Sequence, residues 1–465
     1  MEPVLHADSN RVYGLTGHAL RMNPDFAPQQ PSRLPTFREA MVFWFWLGCV
    51  SFGGPAGQIA MMHRELVERR RWFGEAHFLH ALNFCMLLPG PEAQQLATYL
   101  GWRMHGVRGA IAAGGLFVLP AALLLLALSW LYVTRGQTGW LAGAFHGVQP
   151  AVIAIVAAAV IKIGSRTLHT PTQWVIAAVS FAAISVGSIS FVWVLLGALA
   201  VGWVGSRRFP AQFRTVDASR PARGSEADAA VSVRLPEVPP PKWSDAARIA
   251  ACGFVLWLVA IACAHRLQGP GGVLGDQGWF FTKAAFVTFG GAYAVLPYVA
   301  QQAVEHHGWL THDQMLAGLG LAETTPGPLI MVLQFVGFVG AWQQPGGLTP
   351  LAAATAGAAL TTWVTFLPSF VFILIGGPHV EKLGEQPRLS ASLSAITAAV
   401  VGVILSLAVW FARHAMWPVP GRFDPFVAVL AVVAFVAMTR FRAGLLPVLA
   451  ACAALGVVWE LVGTR

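Results

Sequence analysis

Residues 52–91 read FGGPAGQIAMMHRELVERRRWFGEAHFLHALNFCMLLPGP, and residues 289–328 read FGGAYAVLPYVAQQAVEHHGWLTHDQMLAGLGLAETTPGP. Shifted by 237 positions and without a gap, Phe52-Gly53-Gly54 falls on Phe289-Gly290-Gly291, Val67-Glu68 on Val304-Glu305, Trp72 on Trp309, and Pro89-Gly90-Pro91 on Pro326-Gly327-Pro328. Shared apolar composition does not align Gly, Pro and Trp in this way, so the chain contains two related units.

Working outward, the 465 residues are 56% apolar and 11% charged. A soluble domain carries about 25% charge, so lipid is the main solvent. Ten uncharged stretches, from Ala40–Met62 to Ala443–Trp459, supply the membrane segments, and several exceed the roughly 20 residues of one crossing. The expected class is an all-α polytopic membrane protein with two homologous repeats, inverted relative to each other and carrying broken or re-entrant helices. We divide it into a polar cytoplasmic tail (1–38), a first membrane repeat (39–205), an Arg/Pro-rich cytoplasmic linker (206–248) and a second repeat (249–465). The formal charge of +9 comes from basic clusters between apolar segments. Such clusters mark cytoplasmic membrane loops, so the partner surface is the lipid bilayer and no nucleic acid is expected. Cys49, Cys85, Cys252, Cys263 and Cys452 fall in apolar runs and read as buried reduced thiols.

Charge also sets orientation. The loop from His63 to Trp72 holds Arg64, Arg69, Arg70 and Arg71, whereas its repeat image from Ala300 to Trp309 holds no Lys or Arg. Positive-inside places the first loop in the cytoplasm and the second outside. A helix from Ala40 to Phe52 is about 20 Å long, short of the roughly 30 Å hydrocarbon core. Re-entrant hairpins broken at Gly53-Gly54-Pro55 and Pro89-Gly90-Pro91 keep the neighbouring arginines inside, whereas kinked full spans do not. Both arrangements keep the inversion.

Gly and Pro at mid-membrane depth free backbone N–H and C=O groups, which are tolerated only beside protein or a watery cavity. Discontinuous transporter helices aim their N-terminal ends at anions. The candidate substrate-binding positions are therefore Gly53, Gly54, Pro89, Gly90, Pro91, Gly290, Gly291, Pro326, Gly327 and Pro328, with Gln94, Gln95, Thr324 and Thr325 as neutral hydrogen-bonding neighbours and Gln334 beyond them. The plain alternative is that the breaks only permit close packing, and that the Thr and Gln side chains satisfy helix backbone or cross-link helices. Lys283, in an apolar run, offers a fixed positive charge or else snorkels to the interface. Glu92 and Glu323 are candidate proton carriers, because a carboxyl held out of water keeps its proton more readily; each can instead cap a half-helix. Arg64 and Glu65 gate the inner mouth or act only as topology signals. His77, His80, His306, His307 and His312 have no metal spacing and read as interfacial or loop residues. No cofactor motif is present: there is no HExxH, no aspartate-rich metal motif and no GxxxxGK[ST].

Together, Phe52-Gly53-Gly54-Pro55, Arg71-Trp72, the run Leu87-Leu88-Pro89-Gly90-Pro91-Glu92-Ala93-Gln94-Gln95-Leu96-Ala97 and Ala322-Glu323-Thr324-Thr325-Pro326-Gly327-Pro328 resemble the chromate ion transporter family in its long two-domain form, from about Phe37 to Pro368. The resemblance implies efflux of chromate across the bacterial inner membrane, driven by the proton motive force or by exchange, with sulfate as a structural mimic. A transporter for sulfate or another oxyanion and a passive anion channel stand as alternatives. The oligomeric state is open between monomer and homodimer.

Overall fold

The computed structural model describes residues 34–136, 138–187, 189–208, 243–379, 387–419 and 421–463. The first half contains α1 (Phe37–Val50), α2 (Gly54–His63), α3 (Glu75–Leu87), α4 (Glu92–Arg135), α5 (Gly139–Thr167), α6 (Pro171–Ser185) and α7 (Phe191–Arg208). The second contains α8 (Trp243–Gln268), α9 (Val273–Val287), α10 (Ala292–Gln301), α11 (His312–Thr324), α12 (Val332–Gln343), α13 (Pro350–Gly376), α14 (Pro387–Met416), α15 (Pro425–Thr439) and α16 (Leu445–Gly463). Among the described residues seven helices are long and apolar enough to cross a bilayer, and the chain is a multi-pass, all-α membrane protein.

The sequence repeat is also a repeat of elements. At the 237 shift α3 matches α11 residue for residue, and α1 with α9 and α2 with α10 agree to within one residue at their ends. Even a one-turn π-helix recurs, at Arg64–Arg69 and at Gln302–His306, each followed by the conserved-position Trp72 or Trp309. Among the described residues α8 has no counterpart in the first half, and it is the least buried of the seven crossing helices. It packs against α9 and α13 at the edge of the second unit.

α4 cannot be one rod. Its 44 residues would extend about 66 Å, twice the hydrocarbon core, and it breaks at His105 and Gly106, where Gly106 takes φ +62°. The chain folds back there: Gly101 and Gly109 touch so closely that a Cβ on either would overlap the other's carbonyl, and Gly114 sits against Thr98. The break falls between Arg103 and Arg108, the gap that separates two uncharged stretches in the sequence. In the second unit α12 and α13 make the same turn through a loop, with Gly337 against Gly357. The uncharged run Thr324–Val380 is thus divided between them.

Helices meet through small residues, which let backbones approach where lipid supplies no hydrophobic drive. Gly48 of α1 abuts the Leu116 carbonyl of α4, and Gly143 and Gly147 of α5 face Gly456 of α16. α14 is the most buried crossing helix and packs on α5, α6, α7 and α10, joining the halves.

One expectation is corrected. Cys252 and Cys263 are exposed on α8, not buried, because an apolar run facing lipid needs no protein cover; Cys85 and Cys452 are buried, and all five thiols are free. α7 and α8 extend into both ends of the stretch read as a linker, and α1 begins inside the stretch read as a tail. The rest of the linker, 209–242, and residues 1–33 lie outside the described residues.

Candidate functional site

Two junctions hold the four breaks. The Gly90 N–H donates to the Thr288 carbonyl at 2.7 Å, and the Gly327 N–H donates to the Ser51 carbonyl at 2.9 Å. These bonds are images of each other under the 237 shift. Each unit's PGP turn is therefore seated on the other unit's Gly-Gly break, the swapped contact that a two-fold relation between units produces. Gln58, buried in α2, reinforces one junction by donating to both the Ser51 and Gly327 carbonyls. At the other, Gln95 donates to the Pro89 carbonyl at 2.8 Å and approaches Ser369 Oγ at 3.4 Å.

Five helices start with a side-chain cap, and α3, α5 and α9, away from the breaks, start without one. Thr36, Thr170, Thr311 and Thr349 cap α1, α6, α11 and α13, and Asp424 caps α15. At the breaks, α2, α4 and α10 begin after Gly53, Pro91 and Gly291, none of which has a side chain able to cap. Their first N–H groups and the positive ends of their dipoles are left for another acceptor, which is the chemistry of an anion site. Gly53 and Gly54, at φ +92° and +68°, face open space, with no atom within 4 Å of a built Cβ. Gly290 faces Val400, and Gly291 has the Glu92 Oε1 3.7 Å from where its Cβ would stand. Glu92 of the first unit therefore covers the start of α10 in the second. Among the described residues no partner reaches Ser51 Oγ, Gln58 Oε1, Gln94 Oε1 or Gln95 Oε1, although all four side chains are buried. Buried polar atoms left this way call for water or a ligand.

The structure gathers Gly53, Gly54, Pro89, Gly90, Pro91, Glu92, Gln95, Gly290, Gly291, Pro326, Gly327 and Pro328 at these junctions. Gln94 points along its own helix and donates to Thr98 Oγ1 at 2.9 Å. Thr324 and Thr325 donate their hydroxyl protons to the Leu321 and Ala322 carbonyls, so neither offers a proton outward. Gln334 cross-links three helices, donating to the Ala122 carbonyl and accepting from Thr362. Lys283 does not join the breaks: it is exposed on α9, on one face with Trp279 and Phe286 at the i, i+4, i+7 spacing, opposite the buried positions. Glu323 is buried and accepts from Tyr293 Oη at 2.5 Å. Glu65 is buried within the first π-turn, 2.7 Å from Arg69 and 3.9 Å and 3.8 Å from Arg64 and Arg70. That knot orders the arginine-rich loop and lies a full α2 length from the Gly53 break. His77 lies within α3, stacked between Phe73 and Tyr99.

Ser51, Gln58, Tyr293 and Ser369 were not among the residues the sequence singled out. Gln58 had a signal, as a lone amide inside the apolar segment after Gly53-Gly54, and so did Tyr293, two positions after the second Gly-Gly in a chain with 5 tyrosines.

Interrupted helices from two related halves that meet tip to tip, with uncapped N-termini, make this a multi-pass membrane protein with the kind of broken helices found in transporters. The chromate transporter family matches residues 38–203 and 276–457, and the chain belongs to it. It is 29% identical to the chromate transport protein of Cupriavidus metallidurans over 90% of this chain and 92% of that one, and 36% identical to the chromate transport protein of Pseudomonas aeruginosa over 77% and 76%. A third relative, the uncharacterized transporter YwrB of Bacillus subtilis, is 27% identical over 132 residues, 28% of this chain but 67% of its own, so that protein is about the size of one repeat. No solved structure matches the chain.

Proposed function

We propose that the chain exports chromate, a tetrahedral dianion, across the bacterial inner membrane, binding it where the broken helices of two inverted repeats meet. The observation that carries this reading is the uncapped start of α2, α4 and α10 beside two reciprocal PGP junctions. Several N–H donors on fixed backbone suit a tetrahedral anion, and none of them needs a counter-charge brought from the protein surface. The names of the relatives support chromate as the cargo.

Inversion is supported by α8, an extra crossing between the repeats, and by the arginines of the first π-turn against the uncharged or histidine positions of the second. Re-entrant segments are supported by the fold-back at Gly101 and Gly109, which ends the half-helix after Pro91 at the membrane face where the long arm of α4 begins. Export is the easier direction. One charge crossing 100 mV is worth about 2.3 kcal/mol, so a dianion leaving a negative interior gains roughly twice that. Glu92, beside the start of α10, is the carboxylate placed to couple a proton to anion release, since it competes for the same N–H groups when ionised.

Everted membrane vesicles supply the test. Energised vesicles should accumulate labelled chromate, an uncoupler should reduce that uptake, and excess sulfate should compete weakly. Uptake at full rate after uncoupling removes proton coupling, whereas sulfate competing as well as chromate itself makes the cargo a general oxyanion.

A further inference from the structure

The two repeats are not equal at their breaks. In the second, Tyr293 is the second residue of α10, just after Gly290-Gly291, and Glu323 is the penultimate residue of α11, just before Pro326-Gly327-Pro328. The Tyr293 hydroxyl donates to Glu323 Oε1 at 2.5 Å, and Glu323 is 4% exposed. This is the one hydrogen bond to the Glu323 carboxylate among the described residues. In the first repeat the same positions hold Ala56 and Met86, which cannot form such a bond. Among the described residues the first repeat's break and turn share no hydrogen bond and are each bonded to the other repeat, Ser51 with Gly327 and Gly90 with Thr288.

We propose that Tyr293 is a positioning residue for transport: by holding Glu323 it locks the second repeat's Gly-Gly break and PGP turn into one unit, leaving the first repeat's break and turn as the pair that shifts against it. The proposal rests on the reading that the breaks form the transport site. Two features agree with it. A carboxyl oxygen buried away from water is costly to leave without its donor. The space around Gly53 and Gly54 is open, whereas Gly290 and Gly291 are covered by Val400 and Glu92.

A double-mutant cycle in proteoliposomes tests this. Tyr293→Phe keeps the ring and removes the donor; Glu323→Met copies the first repeat. Tyr293→Phe is expected to lower the chromate transport rate about tenfold with KM within twofold, and to cost less than twofold when added to Glu323→Met. Thr324→Cys, on the segment between Glu323 and the turn, gives a readout independent of activity: its maleimide labelling rate above the native-thiol background should rise severalfold when Tyr293→Phe is added. Gln58→Leu, at the other junction, reports on the site reading by itself. If Gln58→Leu impairs transport while Tyr293→Phe costs nothing, or costs the same in both backgrounds with labelling unchanged, Tyr293 has no positioning role and the site reading stands. If all these variants transport like the wild type, both fall.

Discussion

Glu92 stands over Gly291, its Oε1 3.7 Å from the point where a side chain on that glycine would begin. The carboxylate belongs to the first repeat and follows its PGP turn; the glycine belongs to the second and opens α10. One repeat thus places a carboxyl group beside the start of a helix in the other, where the cargo is proposed to bind. In the proposed mechanism an ionised Glu92 and the oxyanion compete for the N–H donors there, and protonating Glu92 ends the competition in favour of the cargo.

Glu92→Gln keeps the shape and removes the charge. A charge at a helix N-terminus is worth roughly 0.3 to 2 kcal/mol, so KM for chromate should fall by about two- to thirtyfold. Uptake should also stop responding to an imposed pH gradient. Initial rates in proteoliposomes at matched and unmatched pH check both.

The two Gly-Gly breaks should tolerate alanine differently. Gly53 has φ +92° and ψ 25°, a left-handed conformation other residues adopt at modest cost, and its Cβ would meet open space. Gly291 has φ +91° and ψ 176°, a region that is essentially glycine's alone. Gly53→Ala should cost about 1 kcal/mol and Gly291→Ala about 1–3 kcal/mol. Thermal unfolding in detergent should rank Gly291→Ala below Gly53→Ala.

Inversion predicts opposite exposure of the duplicated π-turns. With native cysteines replaced, Arg69→Cys should react with an impermeant maleimide only in everted vesicles, and His306→Cys only in right-side-out cells. Labelling of both from one side refutes the inversion.

The His312 and His414 rings stack at 3.8 Å, with Trp410 against both and bonded to Glu305. Burial, with His414 adding to it, holds the His312 imidazole below its ordinary 6.5, although Glu305 and Asp313 pull the other way. In the window just below 6.5 the unfolded chain binds a proton that the folded protein does not. Stability should therefore be full above pH 6.5 and decline as pH falls through that window. His414→Gln should flatten the decline, measured as unfolding temperature between pH 7.5 and 5.5.

Much of this was legible in the sequence. Phe52-Gly53-Gly54 on Phe289-Gly290-Gly291 and Trp72 on Trp309 located matching elements to within a residue, because Gly, Pro and Trp positions are set by backbone geometry and packing that few other residues satisfy. The fold-back at His105-Gly106 showed as the gap between Arg103 and Arg108. Lys283 was misleading because its run is apolar all round, so no periodicity told the inward face from the lipid face. The joining of Tyr293 to Glu323, and of Gln58 to Gly327, depends on how distant segments cross, which spacing along one chain does not encode. Glu92 was legible as a residue next to a break; that the break it covers belongs to the other repeat was not.

The most direct measurement is a pair of cryo-EM maps of the protein in lipid nanodiscs, one in sulfate-free buffer with chromate and one without. The account predicts a compact added density within hydrogen-bonding distance of the first N–H groups of α2, α4 or α10. Added density elsewhere, or breaks packed against lipid tails in both maps, contradicts it.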